Sequence, residues 1–236
     1  MKNTNSQELV EQTGNLLGLA SHELRTPLAS IKAFAELLEK RNKEQLDEKS
    51  LHYLKKIHDK IAEQMYLISD ITDVTKIHLG VMSFYPELFC FDTLVDEVVE
   101  DQQLLTDTHQ IRKKGQSDKN VLADKERIRQ VINNLILNAI KYSPEGKYVD
   151  VMVEEQKDEI VLEVKDYGIG ITAAEQKRVF EPYFQSNKLK KRQGARGLGV
   201  GLYISAEIMR QQDGRIWVDS TLGKGSTFYI ALPVKT

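Results

Sequence analysis

Leu17, Leu24, Ile31 and Leu38 recur every seven residues, a spacing that a helix turns into one continuous apolar stripe. Ala20, Leu28, Phe34 and Ala35 widen the stripe, and the pattern predicts a helix over residues 6–40. A charged connector, KRNKEQLDEKS, follows. Beyond it Leu54, Ile57, Ile61, Met65, Ile68, Ile71 and Val74 define a second helix reaching to about residue 78. Two long helices joined this way make an antiparallel hairpin. Each carries a single stripe, so much apolar surface is left uncovered, and two completions stand open: a second copy, giving a dimeric four-helix bundle, or the chain's own C-terminal region.

With Leu17 at heptad position a, His22 falls at f, farthest from the seam, and Thr26 falls at c, one turn further along the same polar side. The imidazole is thereby directed to solvent on a rigid rod. Pro27 has no amide to bond the carbonyl of Glu23, and a mid-helix proline costs roughly 3 kcal/mol, so a bend is expected beside His22. A single exposed histidine is usually just solvated. What singles this one out is a carboxylate directly after it, a hydroxyl four residues on and a proline at the fifth.

The helical period stops between Leu79 and Phe91, where Gly80 and Pro86 act as breakers and a short strand or loop leads into a helix beginning near Asp92. This places the domain boundary at residue 80, with a helical domain over 1–80 and a second domain over 81–236. In the second domain the pattern alternates. Helices are predicted at 92–106, 124–141 and 199–211, and strands at 109–114, 119–123, 148–155, 159–166, 214–219 and 226–232. Short turns between strand pairs imply hairpins, hence a mixed sheet with helices on one face, and the chain as a whole is of α+β class.

Composition narrows the function. Of 236 residues 41% are hydrophobic and 29% charged, ordinary for a globular chain, and a net charge of −2 lacks the basic footprint of a nucleic-acid binder. Cys90 is the only cysteine, so neither an intrachain disulfide nor a cysteine zinc cluster is possible. The polar N-terminus, MKNTNSQELVEQTGN, has no signal-peptide core, and no apolar run nears the roughly 20 residues that span a bilayer. The expectation is a cytoplasmic segment without membrane contact, to which an upstream sensory or membrane region can belong.

Three motifs carry the chemistry of the second domain. Asn134, Asn138 and Lys141 share one helix face, opposite Ile128, Ile132, Leu135 and Ala139. Asparagine is a poor interior helix residue. Such a face is either simply solvated, or its carboxamide oxygens help hold Mg2+ at a nucleotide's phosphates while Lys141 adds positive charge. Asp166-Tyr167-Gly168-Ile169-Gly170 ends a strand and reads either as a plain turn or as an adenine site, with Asp166 accepting from the exocyclic amine and the glycines letting the ring approach the backbone. Gly197, Gly199 and Gly201 open a helix, where exposed amides and the helix dipole make a phosphate cradle. The basic stretch before them, Lys188 to Arg196, is a solvated loop or a lid that neutralises a triphosphate.

In this order and spacing the motifs resemble the catalytic core of sensor histidine kinases. Ser21 to Leu28 is similar to the phosphoacceptor box, Asn134 to Tyr142 to the N box, Asp166 to Gly170 to the first glycine box, Phe180 to Phe184 to the F box, and Gly197 to Gly201 to the second glycine box. The resemblance runs from about residue 10 to the C-terminus. It implies a dimerisation and phosphotransfer hairpin followed by an α/β sandwich of the gyrase, heat-shock chaperone and mismatch-repair ATPase type. The implied reaction is ATP-dependent phosphorylation of His22, with Glu23 as base or orienting partner, then transfer to an aspartate of a response regulator receiver domain. Thr26 matches the position that directs water for dephosphorylating the regulator. The implied nucleotide residues are Asn134, Asn138, Lys141, Tyr142, Asp166, Gly168, Gly170, Arg196, Gly197, Gly199 and Gly201, with Asn138 also on Mg2+. Tyr167 and Leu198 depart from the family pattern, standing where a small polar residue and a threonine are common. Two other readings keep the fold: an ATPase without phosphohistidine, and a degenerate dimeric scaffold.

Overall fold

The computed structural model describes residues 21, 23–41, 46–186 and 198–235. The chain divides into two compact units, Met1–Met82 and Ser83–Thr236. In the first, helix α1 covers 23–41, and the part of the expected helix before Ser21, with His22 itself, lies outside the described residues. Helix α2, Glu48–Leu79, begins where Asp47 accepts from the Ser50 amide at 2.8 Å and ends at Gly80, whose φ of 68° closes the last turn.

The two helices bury Ala35, Leu54, Ile61, Ile68 and Val74, and the hydroxyls of Thr72 and Ser21 meet at 2.6 Å. The heptad stripe itself stays open: Leu24 is 56% exposed, and Ile31 and Leu38 are each 49% exposed. Among the described residues no helix is long and apolar enough to cross a membrane.

The second unit is a seven-stranded mixed sheet: β1 Glu87–Cys90, β2 Gln110–Lys114, β3 Asn120–Ala123, β4 Tyr148–Gln156, β5 Glu159–Lys165, β6 Arg215–Thr221 and β7 Gly225–Lys235. Strand order is β1-β3-β7-β5-β4-β2, with β6 also on β7; only the β2·β4 pair is parallel. Helices α3 Phe91–Leu105, α4 Lys125–Tyr142 and α6 Gly201–Gln211 cover one face, and a short α5 spans Ala173–Gln176. Alternation dictates this. Val149, Val151, Val153, Ile160, Leu162, Val164, Phe228 and Ile230 point inward onto Ile128, Val131, Ile132, Leu135 and Ile136, all buried. The other face carries the stacked pair Trp217 and Tyr229, and Arg112 in a two-pronged pair with Asp150.

Three details differ from the sequence expectation. Strand β7 runs on to Lys235 because its end leaves β5 and pairs Val234 with Val121 of β3. Helix α6 starts at Gly201, since Gly199 is in the left-handed region at φ 73°. Helix α5 is additional, fixed by a capping box in which Thr172 and Glu175 serve each other.

Inside the helical unit, burial and the neighbouring Asp73 push the Asp70 carboxyl up to about 6. A carboxyl whose folded pKa exceeds its unfolded value of about 4 favours folding only while protonated, so stability falls as pH rises from about 4 to 6. Asp70→Asn should therefore raise the thermal midpoint by a few degrees at pH 8 and change it little at pH 4, measured by circular dichroism melts of both proteins.

Candidate functional site

Helix α4 is pinned at both ends, and this sets the site. At its start Asp124 accepts from the amides of Arg127 at 3.0 Å and Tyr85 at 2.9 Å. At its end Ser143 Oγ donates to the Ala139 carbonyl at 2.7 Å, and buried His109 bonds the Ser143 carbonyl through Nε2 at 2.8 Å. The Tyr142 carbonyl is thereby held in place, and it accepts from the Ile169 amide at 3.2 Å. From the opposite side the β6–β7 hairpin grips the same loop: the Asp166 amide donates to Ser226 O at 2.9 Å, and the Gly223 amide to Ile169 O at 2.8 Å.

Between α4, this loop and α6 lies a cleft that is open on one side. Ile169, Ile171, Val179, Phe184, Leu202 and Phe228 give it apolar walls; Asn138, Tyr142, Asp166, Glu175 and Ser226 supply the polar groups. Asp166 is only 3% exposed. Burial raises its pKa, and hydrogen bonds from Gly168 and Ser226 pull it partly back. Its Oδ1 accepts from the Gly168 amide at 2.8 Å. A buried carboxylate among apolar walls fits a flat heteroaromatic base bearing an amino group. Asn138 donates through Nδ2 to Asn134 Oδ1 at 3.3 Å, which turns its own carbonyl oxygen away from Asn134; that oxygen is a hard donor of the kind Mg2+ takes.

Not every expected residue is placed at the cleft. Asn138, Tyr142, Asp166 and Gly170 line it; Asn134, Lys141, Gly168, Gly199 and Gly201 do not. Asn134 bonds Ser205 Oγ of α6 at 2.9 Å as well as Asn138. Its place is the α4–α6 contact, and its effect is to orient Asn138. Lys141 is exposed at the end of α4, its ammonium 5.1 Å from the Tyr142 ring centre.

In the sequence reading Gly168 and Gly170 admit the base and Gly199 and Gly201 belong to a phosphate cradle; the structure adds a steric requirement at each. A Cβ on Gly168 would come within 2.0 Å of the Tyr142 carbonyl oxygen, on Gly170 within 2.1 Å of Thr221 O, on Gly199 within 2.6 Å of Phe184 O, and on Gly201 within 2.5 Å of Asn134 Oδ1. The chain's own atoms fill the space beside each one. Tyr167 reaches out of the loop to Asp150, its Oη 2.5 Å from Oδ2, so this departure from the family pattern is taken up on the sheet rather than among the cleft-lining residues. His22, Arg196 and Gly197 lie outside the described residues.

Sequence reasoning missed Glu175, Ser186 and the apolar walls other than Ile169 and Phe184, which fall in the stretches similar to the first glycine box and the F box. Glu175 was signalled by the Thr172-x-x-Glu175 spacing of a capping box; the remaining walls come from separate elements and have no local signature. Asp166→Asn should cut nucleotide affinity more than tenfold, over about 1.4 kcal/mol, because an amide can turn a donor toward the base. It should also hold or raise the thermal midpoint at neutral pH, since it removes a charge whose burial opposes folding. Calorimetric titration with ADP and a thermal melt of the same sample check both parts.

Residues 12–80 match the family described as His Kinase A (phospho-acceptor) domain, and residues 123–236 match that described as Histidine kinase-, DNA gyrase B-, and HSP90-like ATPase. The sensor histidine kinase WalK of Bacillus subtilis (strain 168) is 30% identical across 98% of this chain and 38% of its own length. The adaptive-response sensory kinase SasA of Microcystis aeruginosa is 33% identical across 97% of this chain and 62% of its own. The chain thus spans 38% and 62% of the lengths of these two curated relatives. In fold it is similar to full-length ShkA, solved in complex with AMPPNP, with a TM-score of 0.72 and 23% identity over 94% of this chain and 46% of that one. With a phosphoacceptor domain followed by an ATPase domain, the chain belongs to the histidine kinases and carries the two domains of their catalytic core.

Proposed function

We propose that this chain catalyses ATP-dependent phosphorylation of His22 and passes the phosphoryl group to an aspartate on a response regulator receiver domain. The observation that carries the reading is the buried Asp166 carboxylate in an apolar cleft with Asn138 on its wall, in a chain that also has a phosphoacceptor domain. Asp166 recognises the adenine amine, and Ile169, Ile171 and Phe228 enclose the ring. Asn138 is the side chain placed to hold Mg2+, which when bound neutralises phosphate oxygens. Lys141 and Arg196 add positive charge for the phosphate chain, with the backbone amides around Gly197, Gly199 and Gly201. Phosphoryl transfer is mostly positioning and charge neutralisation, and an imidazole of ordinary pKa, about 6.5, is largely neutral and nucleophilic above pH 7. Glu23, exposed at the start of α1, orients the ring or takes its proton.

The working unit is a homodimer. Leu24, Ile31 and Leu38, half exposed in one chain, are the stripe a second hairpin covers in a four-helix bundle. The net charge of −2 and the absence of a spanning helix among the described residues favour a cytoplasmic setting for this segment, without nucleic acid.

Incubation with γ-labelled ATP and Mg2+ tests the assignment. The unaltered chain should retain acid-labile label, and His22→Gln should bind ATP and dimerise normally yet retain none. Stable label on that variant sinks the phosphoacceptor assignment; ATP turnover without any labelled protein points to a plain ATPase, and absence of nucleotide binding to a scaffold.

Thr26 is exposed on α1, and its hydroxyl can direct a water at a docked acyl phosphate. Thr26→Ala should abolish dephosphorylation of the regulator and leave autophosphorylation within about twofold, alanine being the better helix former. The lifetime of the regulator's phosphate with ADP and the variant measures the first, a kinase assay on the same preparation the second. Equal loss of both would mean that Thr26 only shapes the helix beside Pro27.

A further inference from the structure

Glu175 sets a puzzle. It lines the cleft, yet a carboxylate in the wall of a triphosphate site repels its ligand unless its charge is used elsewhere. Both oxygens are in fact committed. Oε2 accepts from the Thr172 amide at 3.2 Å and from the Thr172 hydroxyl at 2.7 Å. Oε1 accepts from the Ser186 hydroxyl at 2.6 Å, across 11 residues of chain.

The Thr172 bonds cap α5. The Ser186 bond does nothing for that helix. It ties down the segment Phe184-Gln185-Ser186, all three residues of which line the cleft. The same segment is pressed from the other side by Gly199, where a Cβ would come within 2.6 Å of the Phe184 carbonyl oxygen. Packing thus presses on the wall at Phe184, and at Ser186 a charge-assisted hydrogen bond, the stronger kind, ties it to Glu175.

Resting on the reading of the cleft as the ATP site, we infer that Glu175 is a positioning residue for the nucleotide, acting through Ser186 to hold the 184–186 wall at the width that encloses the base. Its cap partner Thr172 fixes the carboxylate so that the second oxygen is always presented to Ser186. Loss of the latch widens the cleft without unfolding anything, because α5 keeps its cap.

Titration of the whole chain with ADP and Mg2+, together with thermal melts, tests this. Ser186→Ala should weaken ADP binding five- to tenfold with no change in the melting midpoint, and Ser186→Thr, which restores a hydroxyl, should recover most of the affinity. Glu175→Ala should weaken binding at least as much, and adding Ser186→Ala to it should cost nothing further. Ser186→Ala binding ADP like the unaltered chain, or affinity losses that add in the double variant, overturns the latch while leaving the ATP site in place. An unaltered chain that fails to bind ADP overturns the ATP reading and the latch with it.

Discussion

The loop from Asp166 to Gly170 is wedged between two pieces of backbone that never approach one another in sequence, and the cleft exists because of that wedge. On one side stands the carbonyl of Tyr142, held at the end of α4 by Ser143 and His109. On the other stands the β6–β7 hairpin, with Thr221 O over Gly170, and the Asp166 carbonyl against Gly225. Clearances of 2.0 to 2.1 Å from a hypothetical Cβ leave no room for any side chain at Gly168, Gly170 or Gly225. A carboxylate is buried at Asp166 because its backbone has no freedom to turn it outward. The recognition group is thus a product of helix, loop and hairpin together.

How far this could be read from the chain differs from residue to residue. Period-seven and period-two patterns are properties of single segments, so the helical hairpin and most strands were legible, as was the grouping of Asn138 and Asp166 by motif. Asn134 was not, because its partner Ser205 stands on another helix 71 residues away, and a helical face says nothing about which helix packs there. Tyr167 looked like a change inside the site; its partner Asp150 lies across the strand register, out of sight of any local pattern. The glycines were legible as glycines. Whether ligand or chain occupies the space beside each depends on atoms that sequence order does not bring near.

The two units solve opposite problems of burial. The sheet unit closes its core completely, with Phe91, Leu94, Ile132, Leu135 and Ile230 all at 0% exposure. The helical unit leaves half of its leucine stripe open and at the same time takes acidic groups inside, with Asp73 4% exposed and Asp70 raised beside it. A helix pair that exposes a stripe of apolar residues is poorly satisfied by itself, and covering by another chain relieves that defect directly.

A related tension governs the cleft, where Asp166 and Glu175 both line a site proposed for an anionic ligand. They are kept from repelling it in different ways. Asp166 lies deep, where burial disfavours its charge, and the adenine amine it is proposed to meet is far from the phosphates in the ligand itself. Glu175 has three donors on its two oxygens, so its charge is spread into the cap and the wall. In the proposed reading the cation belongs to the phosphate end, with Asn138 as the side chain that holds Mg2+. Distance along the nucleotide, more than net charge, therefore decides which sign of residue the site tolerates at each point.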